Sequence, residues 1–485
     1  MDSLGAPELG TASLEHVFSL LPGNDLVLSI KPLSKHFRDY VDSLLDSKAN
    51  KVHSSADVPS WALLSLGLTS LTYKQRKQLM VAAAKGGCLQ TLQWARDQGC
   101  PWDFRVCEAA AERGHLAVLQ WLRQEGCPWN SSTCEAAARE GHLKVLQWDL
   151  KNKCPGFCEV CQLAAASGKI ELLECARSNG CPWDGRTSEA AAGSGHLLVL
   201  QWARDNGCPW DERTCKAAAK GGHMKVLQWA REQGCPWGAD TCSAAAGGGS
   251  LELLQWARKN GCPWDVWTCA AAAEGGHLPV LQWASSNGCL WDAYACAEAA
   301  RSGHLNVLKW LREQGCPWDS TICSAAAREG HLEVLQWARA NGCPWDGWDD
   351  WDGWACTAAA DGGHLGVLQW LRHEGCSWDS STCAAAAHHP LPLLQWAREN
   401  GCQWDESTCA AAADAGRLDV LQWARENGCP WDCFTCLSAA VGSHFELLQW
   451  AREQGCLWDA DAIQRGASHM GHLEIQQWVY EQVNP

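Results

Sequence analysis

Tyrosine, phenylalanine and methionine are scarce in this chain, with four, six and four residues in 485. Basic charge is also short: 39 Lys and Arg stand against 55 Asp and Glu, a net charge of −16. Nucleic-acid phosphates need a basic face, so no nucleic-acid partner is expected. No apolar stretch is long enough to span a bilayer, so no membrane partner is expected either. The opening "MDSLGAPELG" lacks the basic start and apolar run of a secretory leader. The expectation is a cytoplasmic protein, with the nucleus as a second address. Nucleophile elbow, phosphate loop and HExxH are all missing. The chain therefore reads as a non-enzyme, with no catalytic residue, cofactor or metal expected.

What the sequence does have is 32 tryptophans and 30 cysteines, a bias that one copied motif produces. "GHLAVLQWLRQEGCPWNSSTCEAAARE" (114–140) returns as "GRLDVLQWARENGCPWDCFTCLSAA" (416–440). The cysteine of the "GC" step recurs every 27 residues from Cys100 to Cys343, then after 33 at Cys376, after 26 at Cys402, and after 27 again at Cys429 and Cys456. About fifteen units follow residue 73, and repeats of this length mean a solenoid rather than the three domains that length alone suggests.

One unit, 208–234, shows the physics. Gly207 takes the left-handed conformation that ends a helix, and Pro209 prevents its continuation. Asp211 caps a first helix, "ERTCKAAAK", whose small alanine face lets neighbouring helices approach closely. "GG" at 221–222 turns the chain into a second helix, "HMKVLQWAREQ", with Met224, Val226, Leu227, Trp229 and Ala230 on one apolar stripe.

The run "T-x-x-A-A-A-x-x-G-H-L-x-V-L" resembles the first helix, turn and second helix of the ankyrin repeat. Each unit has 27 residues rather than 33, "GCPWD" stands where ankyrins have a β-hairpin finger, and Trp stands where the second helix usually carries Leu. The resemblance implies an all-α fold: a right-handed solenoid of about fifteen stacked ankyrin-like helical hairpins lacking the β-hairpin fingers, preceded by a small helical N-terminal segment. It also implies a scaffold for protein partners, whose identity the sequence does not give.

Two tryptophan ladders, on the second helices (Trp94, Trp121, Trp229) and in the linkers (Trp102, Trp129, Trp210), are expected to pack between repeats. Most units hold two cysteines seven apart, such as Cys235 and Cys242. Equivalent cysteines of stacked units lie ~8–10 Å apart, beyond disulfide reach, so they are expected to be small buried apolar groups. Cys154, Cys158 and Cys161 strain that reading, because Cys158-x2-Cys161 has chelate-like spacing; Cys433-x2-Cys436 does so less. The recurring "GH" histidines, such as His115, His142 and His223, are expected to be turn and hydrogen-bonding residues. His388 and His389, beside Pro390, mark a worn copy.

"NGCPWDGWDDWDGWAC" (341–356) repeats "WDGW" twice, six apart. The economical origin is a duplicated linker, and its aspartates lack the register of a calcium loop. Such insertions become surface loops. This one is either a tolerated insertion or a recognition loop presenting Trp348, Trp351 and Trp354 to a protein partner.

Residues 1–13 are expected to be a disordered tail and 46–73 a linker or capping helix, with the array at 74–485. Between them, "LEHVFSLLPGNDLVLSIKPLSKHFRDYVDSLL" (14–45) resembles the F-box. Val17, Phe18, Leu20 and Leu21 match its first helix; Pro22, Asn24, Asp25 and Leu26 its turn; Leu33, Ser34, Lys35, Phe37 and Arg38 its last run. The usual opening Leu-Pro is absent and Pro32 intrudes. The resemblance implies a Skp1-type adaptor bound through Leu14, Val17, Leu21 and Leu26, and a substrate-recognition role in an SCF-type ubiquitin ligase. The competing expectation is an N-terminal cap for the solenoid.

Overall fold

The computed structural model describes residues 73–155, 159–317, 319–344 and 355–483. Every regular element among them is a helix: thirty in all, paired into fifteen hairpins that stack as a solenoid. They divide into two compact units between Trp237 and Gly238, six hairpins before the division and nine after it. The F-box-like segment, Trp348, Trp351, Trp354 and Cys158 all lie outside the described residues.

The hairpin follows from local signals. In the last unit before the division, Asp211 (φ −144°) accepts a hydrogen bond from the Arg213 N–H at 2.9 Å and caps the helix Glu212–Lys220. That bond satisfies one of the helix's unpaired first-turn donors. The chain turns at Gly222 (φ 72°) into Met224–Glu232. The preceding second helix ends at Gly207 (φ 83°), and the Cys208 N–H then reaches back to the Ala203 carbonyl at 2.9 Å. This is the left-handed C-terminal cap, with the next residue buried against the helix it closes.

First helices stack on first helices through alanine. Ala218 and Ala219 are fully buried, and a Cβ placed on Gly193 would sit only 3.3 Å from that of Ala217. Leu227 and Ala230 are fully buried, Val226 nearly so. Trp229 is only half-buried. The core of the repeat is alanine, leucine, valine and cysteine, and tryptophan forms its margin, a correction to the expected ladder. The physical reason is position: Val226, Leu227 and Ala230 form the buried face of the second helix, and Trp229 stands beside that face.

Candidate protein-interaction surface

Three sets of bonds join one repeat to the next inside each unit, and together they decide which residues remain on the surface. The first belongs to the histidines. The His223 Nε2 lies 3.1 Å from the Gly193 carbonyl, thirty residues earlier. His115, His142 and His196 do the same to Lys85, Glu112 and Ala166, each at 3.0 Å. Each ring lies against the left-handed glycine of the preceding turn: a Cβ on Gly195 would meet the His223 ring at 2.6 Å. These histidines fasten turns together and are not poised for chemistry.

The second set is a thiol ladder. Cys107 hydrogen-bonds to Cys127, twenty residues on, and the Cys127 thiol donates to the Asp103 carbonyl at 3.6 Å. The same two-step relay runs from Cys134 through Cys154 to the Asn130 carbonyl, and from Cys296 through Cys316 to the Asp292 carbonyl. Where Ser188 replaces the first cysteine, its hydroxyl lies 3.4 Å from the Cys208 sulfur. Paired cysteines are therefore twenty residues apart, one on a first helix and the other just past the end of the second helix of that hairpin, not seven residues apart. The hydrogen bond to the partner sulfur and burial together hold the first thiol of a pair, such as Cys107, well above the ordinary range, so that thiol stays protonated.

Cys154 pairs backward with Cys134, whereas Cys161 faces forward to the Cys181 carbonyl at 3.7 Å. These two thiols thus serve different rungs. Among the described residues no group of three His, Cys, Asp and Glu is placed to hold a metal ion.

The third set lines the margin. Arg204 stacks on Trp210 at 4.2 Å, and Trp210 meets Trp229 edge to face at 5.8 Å. The same guanidinium donates to the Cys208 carbonyl at 2.9 Å. The linker tryptophans are thus half-covered by a cation and a second indole.

One position exposed in many copies is the second of the first helix. It is Arg105, Asp240, Trp267, Tyr294, Thr321 and Phe434 in different copies, while the cysteine two residues on is buried in each of them. Trp267 and Tyr294 are 54% and 45% exposed and touch at 5.0 Å. Beside them the nearly buried Glu298 accepts from the Arg301 Nε at 3.0 Å, and Arg301 also reaches Glu274 at 3.5 Å. A hydrogen bond to Glu298, then burial, raises the Tyr294 phenol.

One shallow cleft of about 380 Å³ opens where Cys175 replaces the second-helix tryptophan, lined by Leu143, Glu171, Glu174 and Asn179 among others. Burial raises the Cys175 thiol, which leaves the cleft without an activated nucleophile. No described helix is long and apolar enough to cross a membrane.

Residues 322–372 match the family model described as ankyrin repeats (many copies). That stretch is similar to ankyrin repeats. The matched span covers most of the single 33-residue step of the array, which runs from Cys343 to Cys376. No curated protein matches the chain. Among solved structures it is similar to the human ASB11 ankyrin repeat domain, at 20% identity over 39% of this chain and 98% of that one, with a TM-score of 0.31. It is also similar to the maize pentatricopeptide repeat protein PPR10, at 12% identity over 97% and 92% of the two chains, TM-score 0.29. A third similar structure is PPR10 in complex with an 18-nt psaJ RNA element, at 15% identity over 97% and 88%, TM-score 0.31. Likenesses at these scores carry no argument about partners. No strand, and so no β-hairpin finger, occurs among the described residues of the repeats.

Proposed function

We propose that this chain is a non-catalytic scaffold for protein–protein interaction, working in the cytoplasm or nucleus. One observation carries the reading. In most copies the interior positions hold to alanine, leucine, valine, cysteine and threonine, whereas the exposed second position of the first helix changes from cation to carboxylate to indole to phenol. An exposed position that varies along the array and holds aromatics suits recognition of a partner surface.

The test is capture of protein partners by the full chain, compared with a Trp267→Ala, Phe434→Ala double variant. Loss of partners with unchanged helicity supports the reading. Failure of the parent chain to hold any protein stoichiometrically overturns it.

A second reading rests on the "LPGND" turn and its flanking leucines: a substrate receptor that joins such a partner to a ubiquitin ligase through a Skp1-type adaptor. Leu26→Asp would place an unpaired carboxylate in that contact. The receptor reading expects loss of adaptor binding with the repeats intact; the capping alternative expects no adaptor binding in either form, with loosened first repeats around Trp94.

A further inference from the structure

Ten linker tryptophans among the described residues carry an arginine on one face, at 4.0–4.6 Å from the ring centre. The arginine always comes from the last turn of the preceding second helix. In these rungs it also donates to the carbonyl of the "GC" cysteine: Arg258 stacks on Trp264 at 4.0 Å and reaches the Cys262 carbonyl at 2.5 Å.

Two of the copies that are followed by a further repeat lack this arginine. In one, Leu150 takes its place and Gly156 takes the place of the tryptophan, so cation and ring were lost together. In the other, Ser285 takes its place and the tryptophan is kept. That tryptophan, Trp291, keeps its ring contact with Trp310 at 6.0 Å. Its neighbour is Leu290 instead of the usual proline, 73% exposed. The exposed Trp267–Tyr294 pair belongs to the same two repeats.

We propose that Trp291 receives an arginine side chain from a protein partner. The guanidinium stacks on the indole and donates to the Cys289 carbonyl, the two contacts that the chain's own arginines make in the neighbouring rungs, while an apolar residue beside it rests on Leu290. Arginine suits the place better than lysine, because its planar fork stacks and donates at once. The net charge of −16 favours a basic segment. This proposal rests on the scaffold reading and names the chemistry of one of its contacts.

The test uses the full chain labelled with 5-fluorotryptophan, with Trp291→Phe to assign the resonance. The probe is the blocked peptide acetyl-Ser-Ala-Arg-Ala-Ser-amide, compared with peptides carrying citrulline or lysine in place of arginine. The expected result is a Trp291 shift on titration with arginine, weaker by about tenfold or more with citrulline. Ser285→Arg fills the place from within and removes the response without unfolding, since it restores the residue the other rungs carry. Arg258→Ser makes Trp264 respond as Trp291 does. An equal response to citrulline or lysine, an undiminished response in Ser285→Arg, or no Trp291 response to arginine at all overturns the proposal. The two readings fail separately: the scaffold falls if the parent chain holds no partner, the arginine site falls if Ser285→Arg holds the same partners at unchanged affinity.

Discussion

The second helices Met224–Glu232 and Leu143–Lys151 occupy the same place in two hairpins of one unit. Ala230 in the first is Asp149 in the second, Arg231 is Leu150, and the closing Gly234 is Lys153. Neither copy keeps the histidine in the following turn: Ser250 stands after the first, and Lys169 after the second, where its Nζ donates to the Gly141 carbonyl at 2.9 Å. The helix forms in both copies. Each hairpin contacts only its neighbours, so a worn copy is a local cost that the rest of the array tolerates. The pair therefore separates the contributions that an intact repeat combines.

The largest difference is Asp149. It is fully buried, and neither carboxylate oxygen has a hydrogen-bond partner. Burial pushes its carboxyl up to about 8 from 3.8. Between those values the unfolded chain has released the proton and the folded chain retains it, so stability falls as pH rises from about 4 to about 8. Asp149→Ala should remove that slope and stabilise this part of the unit by on the order of 4 kcal/mol at pH 7. Ala230→Asp should introduce the same downward slope in the intact copy and destabilise it at pH 7. Hydrogen exchange of the two second helices across this pH range reads both, and a pH-independent Asp149 copy would contradict the assignment.

Next comes the tryptophan margin. Trp229 is half-buried beneath Trp210, so Trp229→Ala should cost about 2 kcal/mol, less than the 3–5 of a core tryptophan. Thermal melts of the single variants, with Leu227→Ala as the fully buried comparison, check the order. A cost for Trp229→Ala above that for Leu227→Ala would restore tryptophan to the core.

That outcome bears on what was legible in the sequence. Helix bounds were readable because their signals are local: Asp211 caps, Gly207 closes, and a period of 27 aligns the copies. The partners across repeats were not. The period places Cys235 opposite Cys262, and the seven-residue spacing suggests Cys242, yet the sulfurs that meet are twenty residues apart and the histidine reaches back thirty. Those offsets depend on how helices lean on one another, which no single repeat encodes. The arginine–tryptophan stack was missed for the same reason, although the co-loss of Arg and Trp at 150 and 156 was visible. Asp149 was overlooked too; a carboxylate in an alanine register was its signal. The insertion loop and the F-box-like helices stay at the level of their sequence patterns.

A smaller effect concerns the fastening of turns. His223→Ala removes the bond to Gly193 and should cost about 1 kcal/mol, as one partly buried hydrogen bond does. Lys169→Ala should cost less, because the lysine bond is exposed to water. Melts of the two variants in parallel test whether the histidine is the better fastener; equal costs would reduce it to a spacer.

The smallest effect isolates backbone geometry. Lys153 holds φ 57° where Gly234 holds 77°, and a residue with a Cβ pays steric strain in that region that glycine avoids. Lys153→Gly should therefore stabilise the worn copy by about 1 kcal/mol. The reverse change, Gly234→Ala, should destabilise the intact copy by a similar amount. Nothing lies within 4 Å of a Cβ at Gly234, so its cost is backbone strain alone. Gly195→Ala is the contrast, because the added Cβ would strike the His223 ring at 2.6 Å and should cost more than either. Measured together, the three variants separate the strain of the left-handed turn from the loss of the histidine contact, and a Gly195→Ala cost no larger than that of Gly234→Ala would show that the ring gives way freely.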